Sequence, residues 1–215
     1  MWTLIKREIR DHWLHIILPA IIIFIALTVL ISQMLYLYRK DIPIMGLPED
    51  LLAIYWVPIV LIPAFTVILG VTQIYSDRNR KISAFLLSQP TSRVKLLAAK
   101  LIAGLIWIAC VTLPFILTSV IVLTIMPPLL PGGKILLIKL IITAGLVNLA
   151  CYSIGLMCGW GTNKYIPNLF AIILATPLLA LLIIKGFGLE THSLLIVVTI
   201  VALLKTTNKF MATSL

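Results

Sequence analysis

At 215 residues, 61% hydrophobic and only 11% charged, the chain carries more apolar side chain than a water-soluble domain of its size can hide, because a globular fold must cover its outside with polar groups. Bilayer hydrocarbon is the natural solvent for such a surface, and a single transmembrane domain over residues 1–215 leaves little chain outside it. The formal net charge of +10 comes from Lys and Arg beside apolar runs, where they set topology and touch anionic lipid head groups; this counts against nucleic acid as a partner.

The first residues, Met1 to Trp13, read as an amphipathic helix. Trp2, Ile5, Ile9 and Trp13 recur at helical spacing, and the charges, including Lys6, Arg7 and Glu8, fall largely on the other face. Such a helix lies in the membrane interface, anchored by its Trp rings and basic residues; the plain alternative is an extension of the first span. The apolar run behind Lys6, Arg7 and Arg10 is too long for a signal-peptide core, and no small-x-small cleavage site follows it.

Six apolar tracts follow in order, over residues 13–37, 51–74, 96–126, 135–159, 166–185 and 193–204. Each must be a helix, since no other open structure satisfies its backbone in lipid and period-2 alternation is absent. The sixth is short for a span and needs flanking residues or tilt to complete it. The expected fold is therefore all-α, with six transmembrane helices behind the interfacial one. With both termini cytoplasmic, Arg39, Lys40, Lys134, Lys139 and Lys185 fall outside and the rest of the 17 basic residues inside, as the positive-inside rule asks of a multi-pass protein of the cell membrane.

Within the tracts, Pro19, Pro58, Pro63, Pro114 and Pro177 each permit a kink. The fourth tract carries Gly155-x-x-x-Gly159 with Cys151 one turn earlier, a small-residue face for close helix packing within the subunit or across a dimer seam. Cys110, Cys151 and Cys158 all sit in apolar tracts as small packing residues rather than as a disulfide framework. Thr112, Thr118, Asn148 and Ser153 either line a path or bond to neighbouring helices.

Catalytic chemistry is not written in this chain. His12, His15 and His192 lack metal-ligand spacing with Cys or carboxylates. None of the acidic residues Glu8, Asp11, Asp41, Glu49, Asp50, Asp77 and Glu190 falls mid-membrane, which disfavours an ion-coupled carrier or an intramembrane protease. Gly132-Gly133-Lys134 lacks the spacing and the Ser/Thr of a phosphate-binding loop. No catalytic or cofactor site is expected in the chain itself, and work against a gradient would have to draw its energy from a partner.

The polar island from Ser76 to Lys95 is where such a partner would dock. Residues 79–88 favour helix, and Ile82, Phe85, Leu86 and Gln89 make one apolar face. Pro90 ends it, and Pro90-Thr91-Ser92-Arg93 reads as a turn with Ser92 an N-cap candidate for the next helix. On these residues alone an ordinary amphipathic connector is an equal reading.

The stretch resembles the permease subunits of type-2 ABC exporters, through Asp77, Arg78, Leu86, Leu87, Ser88, Pro90, Ser92, Arg93 and the pair Ala99-Lys100, with Lys6-Arg7-Glu8 similar to the family's N-terminal connector helix. Where the family often has Gly-Thr-Leu-Glu, this chain has Lys81-Ile82-Ser83-Ala84, and a common acidic position is Arg80. The resemblance implies a short cytoplasmic coupling helix between the second and third spans, running from about Asp77 to Gln89. It also implies a separate cytoplasmic ABC ATPase received on Asp77–Arg93, and a second permease copy or paralogue completing the translocation path. A narrower likeness, to the cytochrome c maturation permease subunit associated with haem handling, rests on similar length, Trp56, Leu113-Pro114 and Pro177. A membrane scaffold or assembly factor is the alternative, with the island as a docking helix.

Overall fold

Backbone groups in hydrocarbon have no water to turn to, so apolar runs of this length close their hydrogen bonds within a helix. The computed structural model describes residues 2–11, 13–39, 49–79, 93–125, 133–160, 165–186 and 188–212. Its elements are all helical: α1 (Trp2–Asp11), α2 (Trp13–Arg39), α3 (Glu49–Asn79), α4 (Arg93–Ile125), α5 (Gly133–Cys158), α6 (Tyr165–Lys185) and α7 (Leu189–Ala212). Among the described residues four stretches are long and apolar enough to cross a bilayer: Val94–Ile121, Ile138–Cys158, Tyr165–Lys185 and Leu189–Ala212. The chain is an all-α, membrane-embedded, multi-pass protein.

The pattern of side-chain exposure agrees. On α6 the buried residues are Pro167, Ala171, Ala175, Leu178 and Leu182, a stripe at helical spacing. Its other face exposes Ile166, Leu169, Phe170, Ile173 and Ile184. A water-facing helix would carry charge there; this one carries hydrocarbon, which fits lipid. The α7 helix repeats the arrangement, burying Thr191, Leu195, Thr199, Ala202, Thr206 and Phe210 and exposing Val197, Ile200 and Leu204.

Helix α7 is also longer than the tract at 193–204 promised, at 24 residues. The reason is local. The hydroxyls of Thr199, Thr206 and Thr207 donate to the carbonyls of Leu195, Ala202 and Leu203 in their own helix, each at 2.8 Å. Polar side chains folded back in this way add little polarity to the helix surface. Thr112, Thr118 and Ser153 do likewise, donating to Ile108, Pro114 and Leu149; they bond to their own helices rather than to neighbours.

Helix α5 forms the centre. It packs on α3 and α7 most extensively, and also on α4 and α6. Of its apolar window 61% is buried, against 44% for α4 and 28% for α6 and α7, the highest share among these four helices. Small residues make the α3–α5 approach possible. A Cβ on Gly70 would stand 2.5 Å from the Tyr152 carbonyl oxygen, and one on Gly159 would stand 2.8 Å from the Val71 carbonyl oxygen. A Cβ on Gly155 would collide with the Val67 carbonyl oxygen. Val67, Val71, Cys151 and Ile154 fill the space beside these backbones. The Gly155-x-x-x-Gly159 face and Cys151 are thus spent on packing inside the subunit.

Between α6 and α7 the chain reverses at Gly186, whose φ of 67° is left-handed and favours glycine. Its N–H closes the helix on the Leu182 carbonyl at 3.0 Å, as a helix C-terminal cap does.

The seam makes a paired prediction. Gly155→Ala is expected to destabilise the protein by about 1–3 kcal/mol through overpacking. Gly145→Ala, where a Cβ meets nothing within 4 Å, is expected to be neutral or slightly stabilising. Thermal unfolding of both variants in one detergent checks this; equal melting temperatures would remove the seam from the account of packing.

Candidate functional site

Three ends of the bundle meet where the polar island attaches. Helix α3 does not stop at the end of its apolar tract but runs on to Asn79, and α4 starts at Arg93. Asp77 and Arg78, expected at the start of a separate coupling helix, therefore belong to the final turn of α3. Arg93 is the first residue of α4. Phe85, Leu86, Ser88, Pro90 and Ser92 lie outside the described residues.

One to two turns into the bundle from that end lies Lys100, at 0% exposure inside the apolar stretch of α4. Seven residues separate it from the start of α4, or about 10 Å of rise. An ammonium group there requires a counter-charge and hydrogen-bond acceptors. Its Nζ meets Glu8 Oε1 of α1 at 3.1 Å and donates to the Gln73 backbone carbonyl of α3, also at 3.1 Å. Glu8 is itself 3% exposed and also receives Arg7 at 3.2 Å.

Helix α5 joins through Tyr152. Its hydroxyl donates to Gln73 Oε1 at 2.6 Å and faces the Lys100 carbonyl at 3.1 Å, so one proton is shared between two acceptors. Gln73 and Tyr152 are 0% and 1% exposed. The phenol reaches this point because Gly104, one turn beyond Lys100 on the same face of α4, has no side chain; a Cβ there would run into the Tyr152 ring and hydroxyl. Four helices, α1, α3, α4 and α5, are tied at a single dry polar node.

The node corrects the expected role of the N-terminal helix. Trp2 is 71% exposed and Lys6 is exposed, as an interfacial helix requires. Glu8, however, does not face water. Ile5 and Glu8 are three residues apart and share a helix face; Ile5 packs with Ala99 and Ala103 of α4, which carries Glu8 onto Lys100. The buried face is rotated roughly a quarter turn from the Trp2–Ile9 stripe at 100° per residue, so Trp2 points away from the bundle. Lys100 is likewise a buried residue rather than a snorkelling one.

Two signals for this were present in the chain: a lysine with apolar residues on both sides, and an acid of α1 placed one turn from Ile5. Tyr152 and Gln73 announced nothing, because each belongs to a tract whose other residues are ordinary membrane core. Chemically, a lysine ammonium, a carboxylate, a carboxamide and a phenol bonded to one another can fix four helices in register.

Compared with protein-family models, with curated proteins and with solved structures, the chain matches none. Geometry and chemistry alone must carry the functional reading.

Removing one partner of a buried pair strands the other's charge. Lys100→Met and Glu8→Gln are each expected to cost up to about 3–5 kcal/mol, and the double variant less than their sum, with a coupling of about 1–3 kcal/mol. Chemical unfolding in detergent or bicelles gives the cycle. Additivity within about 0.5 kcal/mol would mean the two side chains do not act as a pair.

Proposed function

We propose that this chain is the permease subunit of an ATP-driven ABC exporter, spanning the membrane six times with both termini in the cytoplasm. Two permease subunits would form the path, and a separate ATPase would dock on Asp77–Arg93. The observation that carries the reading is the polar node beneath that segment. The helices entering and leaving the segment, α3 and α4, are joined by the Lys100 ammonium on the Gln73 carbonyl, and Glu8 adds the N-terminal helix to the same point. Force applied to the segment would move these helices as one body, with Tyr152 passing the motion to the central helix α5. A connector that only spans a gap needs no such clamp, and maintaining a buried ion pair is costly unless it fixes register or orientation.

The six-span count in this proposal includes α2 and α3, which at 27 and 31 residues have ample length for a hydrocarbon layer of about 30 Å. The basic start of the docking segment, Arg78, Arg80 and Lys81, calls for acidic residues on the ATPase surface it meets.

Tagged protein isolated from its own cells in mild detergent is expected to bring down a protein with Walker motifs in stoichiometric amount. Phe85→Ala and Arg93→Glu are expected to cut that recovery at least tenfold while leaving the melting temperature unchanged. Isolation without any ATPase, or undiminished recovery with both variants, rejects the exporter reading and leaves a scaffold or assembly factor.

A further inference from the structure

Away from the node, a cavity of about 50 Å³ lies between α3, α4, α5 and α6. Ile62, Phe115, Leu140 and Leu182 are among the apolar residues on its wall, and the polar ones among the described residues are Thr112, Thr143 and Asn148. Both threonine hydroxyls are already committed as donors: Thr112 to the Ile108 carbonyl at 2.6 Å and Thr143 to the Lys139 carbonyl at 2.7 Å. Thr143 Oγ1 also lies within hydrogen-bond distance of His192 Nε2, at 2.8 Å.

Asn148 differs. It is 2% exposed, and its Oδ1 has no hydrogen-bond partner among the described residues. It lies ten residues before the end of α5, about 15 Å along the helix, which is close to the middle of a bilayer. A carboxamide left unsatisfied at that depth is expensive. Replacing it with leucine would remove the penalty at almost constant volume. A buried amide oxygen without a partner among the described residues, on the wall of a cavity, is arranged for a donor that enters the cavity.

We infer that this cavity is a binding site for the polar head of a small uncharged amphiphile, an aliphatic alcohol or amide, with Asn148 as the residue that hydrogen-bonds it. Several features narrow the ligand to that class. Among the described residues no charged side chain lines the cavity, so an ionised head would find no counter-charge from them. A pure hydrocarbon leaves Asn148 as it was. The volume exceeds the roughly 10–15 Å³ one water needs but accepts only a head of a few heavy atoms. The cavity is partly open, so the chain behind the head can remain outside it.

The probe is octanol bearing a diazirine on its third carbon, photolysed with the full chain in phosphatidylcholine nanodiscs. Saturable labelling is expected on peptides carrying Ile62, Phe115 or Ala144. Unlabelled octanol is expected to protect these peptides at least tenfold more effectively than octane or octanoate. Asn148→Leu is expected to fold at least as stably as the parent and to bring protection by octanol and octane within twofold of each other. Ala144→Leu, which fills the space and keeps the Asn148 amide, is expected to abolish the labelling. Labelling spread over the lipid-facing sides of α6 and α7 without protection, labelling unchanged by Asn148→Leu, or no labelling because the cavity holds only water would each overturn the assignment.

Discussion

A lysine ammonium sealed from solvent has to be neutralised from inside the protein, and here the neutralising group arrives from a helix 92 residues earlier in the chain. That requirement organises one whole end of the molecule. Glu8 can reach Lys100 only if α1 lies flat on α4. Lys100 can reach the Gln73 carbonyl only if α3 and α4 hold one longitudinal register. Apolar contacts tolerate sliding, because one leucine face packs on another in several registers; a charge pair with directional hydrogen bonds does not. Burying ions adds little net stability, so the gain here is a single permitted arrangement of four helices.

The node depends in turn on how close the backbones come. Tyr152 lies on the same helix as Gly155 and Gly159, and its carbonyl is pressed against Gly70 of α3. With bulkier residues on that seam, α5 would stand off, its phenol would fall short of Gln73, and the gap would admit lipid or water. Gly104 does the equivalent for α4. Lipid is as apolar as the side chains it surrounds, so intimate contact rather than hydrophobic exclusion binds spanning helices together. The glycines and the polar node are two halves of one solution: close approach keeps the charges dry, and the charges fix which close approach is used.

How legible was this in the residues alone? Helix positions were readily visible, since apolar length and charge boundaries are enough to place them; the first five tracts match their helices to within about five residues, whereas α7 runs eight residues past the sixth. The ends were less visible, because Thr206, Thr207 and Asp77 look like loop residues until their side chains or neighbours are known. Burial of individual polar groups was the least legible. A helical wheel of α1 puts Glu8 with the other charges, yet tertiary contact with Ala99 and Ala103 rotates that wheel. Nothing in the run around Asn148 distinguishes it from Thr112 or Ser153; only in three dimensions do the hydroxyls find a carbonyl one turn back while the Asn148 Oδ1 lacks a donor among the described residues. The proposed coupling segment was read from the kinds of residue it contains, whereas the argument for rigidity beneath it comes wholly from contacts.

There is also an order of events written into the Glu8–Lys100 contact. A ribosome makes Glu8 first, then must deliver α2, α3 and the opening turns of α4 before Lys100 exists. Until then the N-terminal helix has no counterpart and can only rest at the membrane surface. When α4 enters the bilayer, Lys100 arrives as a lone cation near the edge of the hydrocarbon, and α1 must swing against it. Closing this contact therefore waits on the first 100 residues, and a chain with a misplaced earlier helix would leave a buried charge poorly answered.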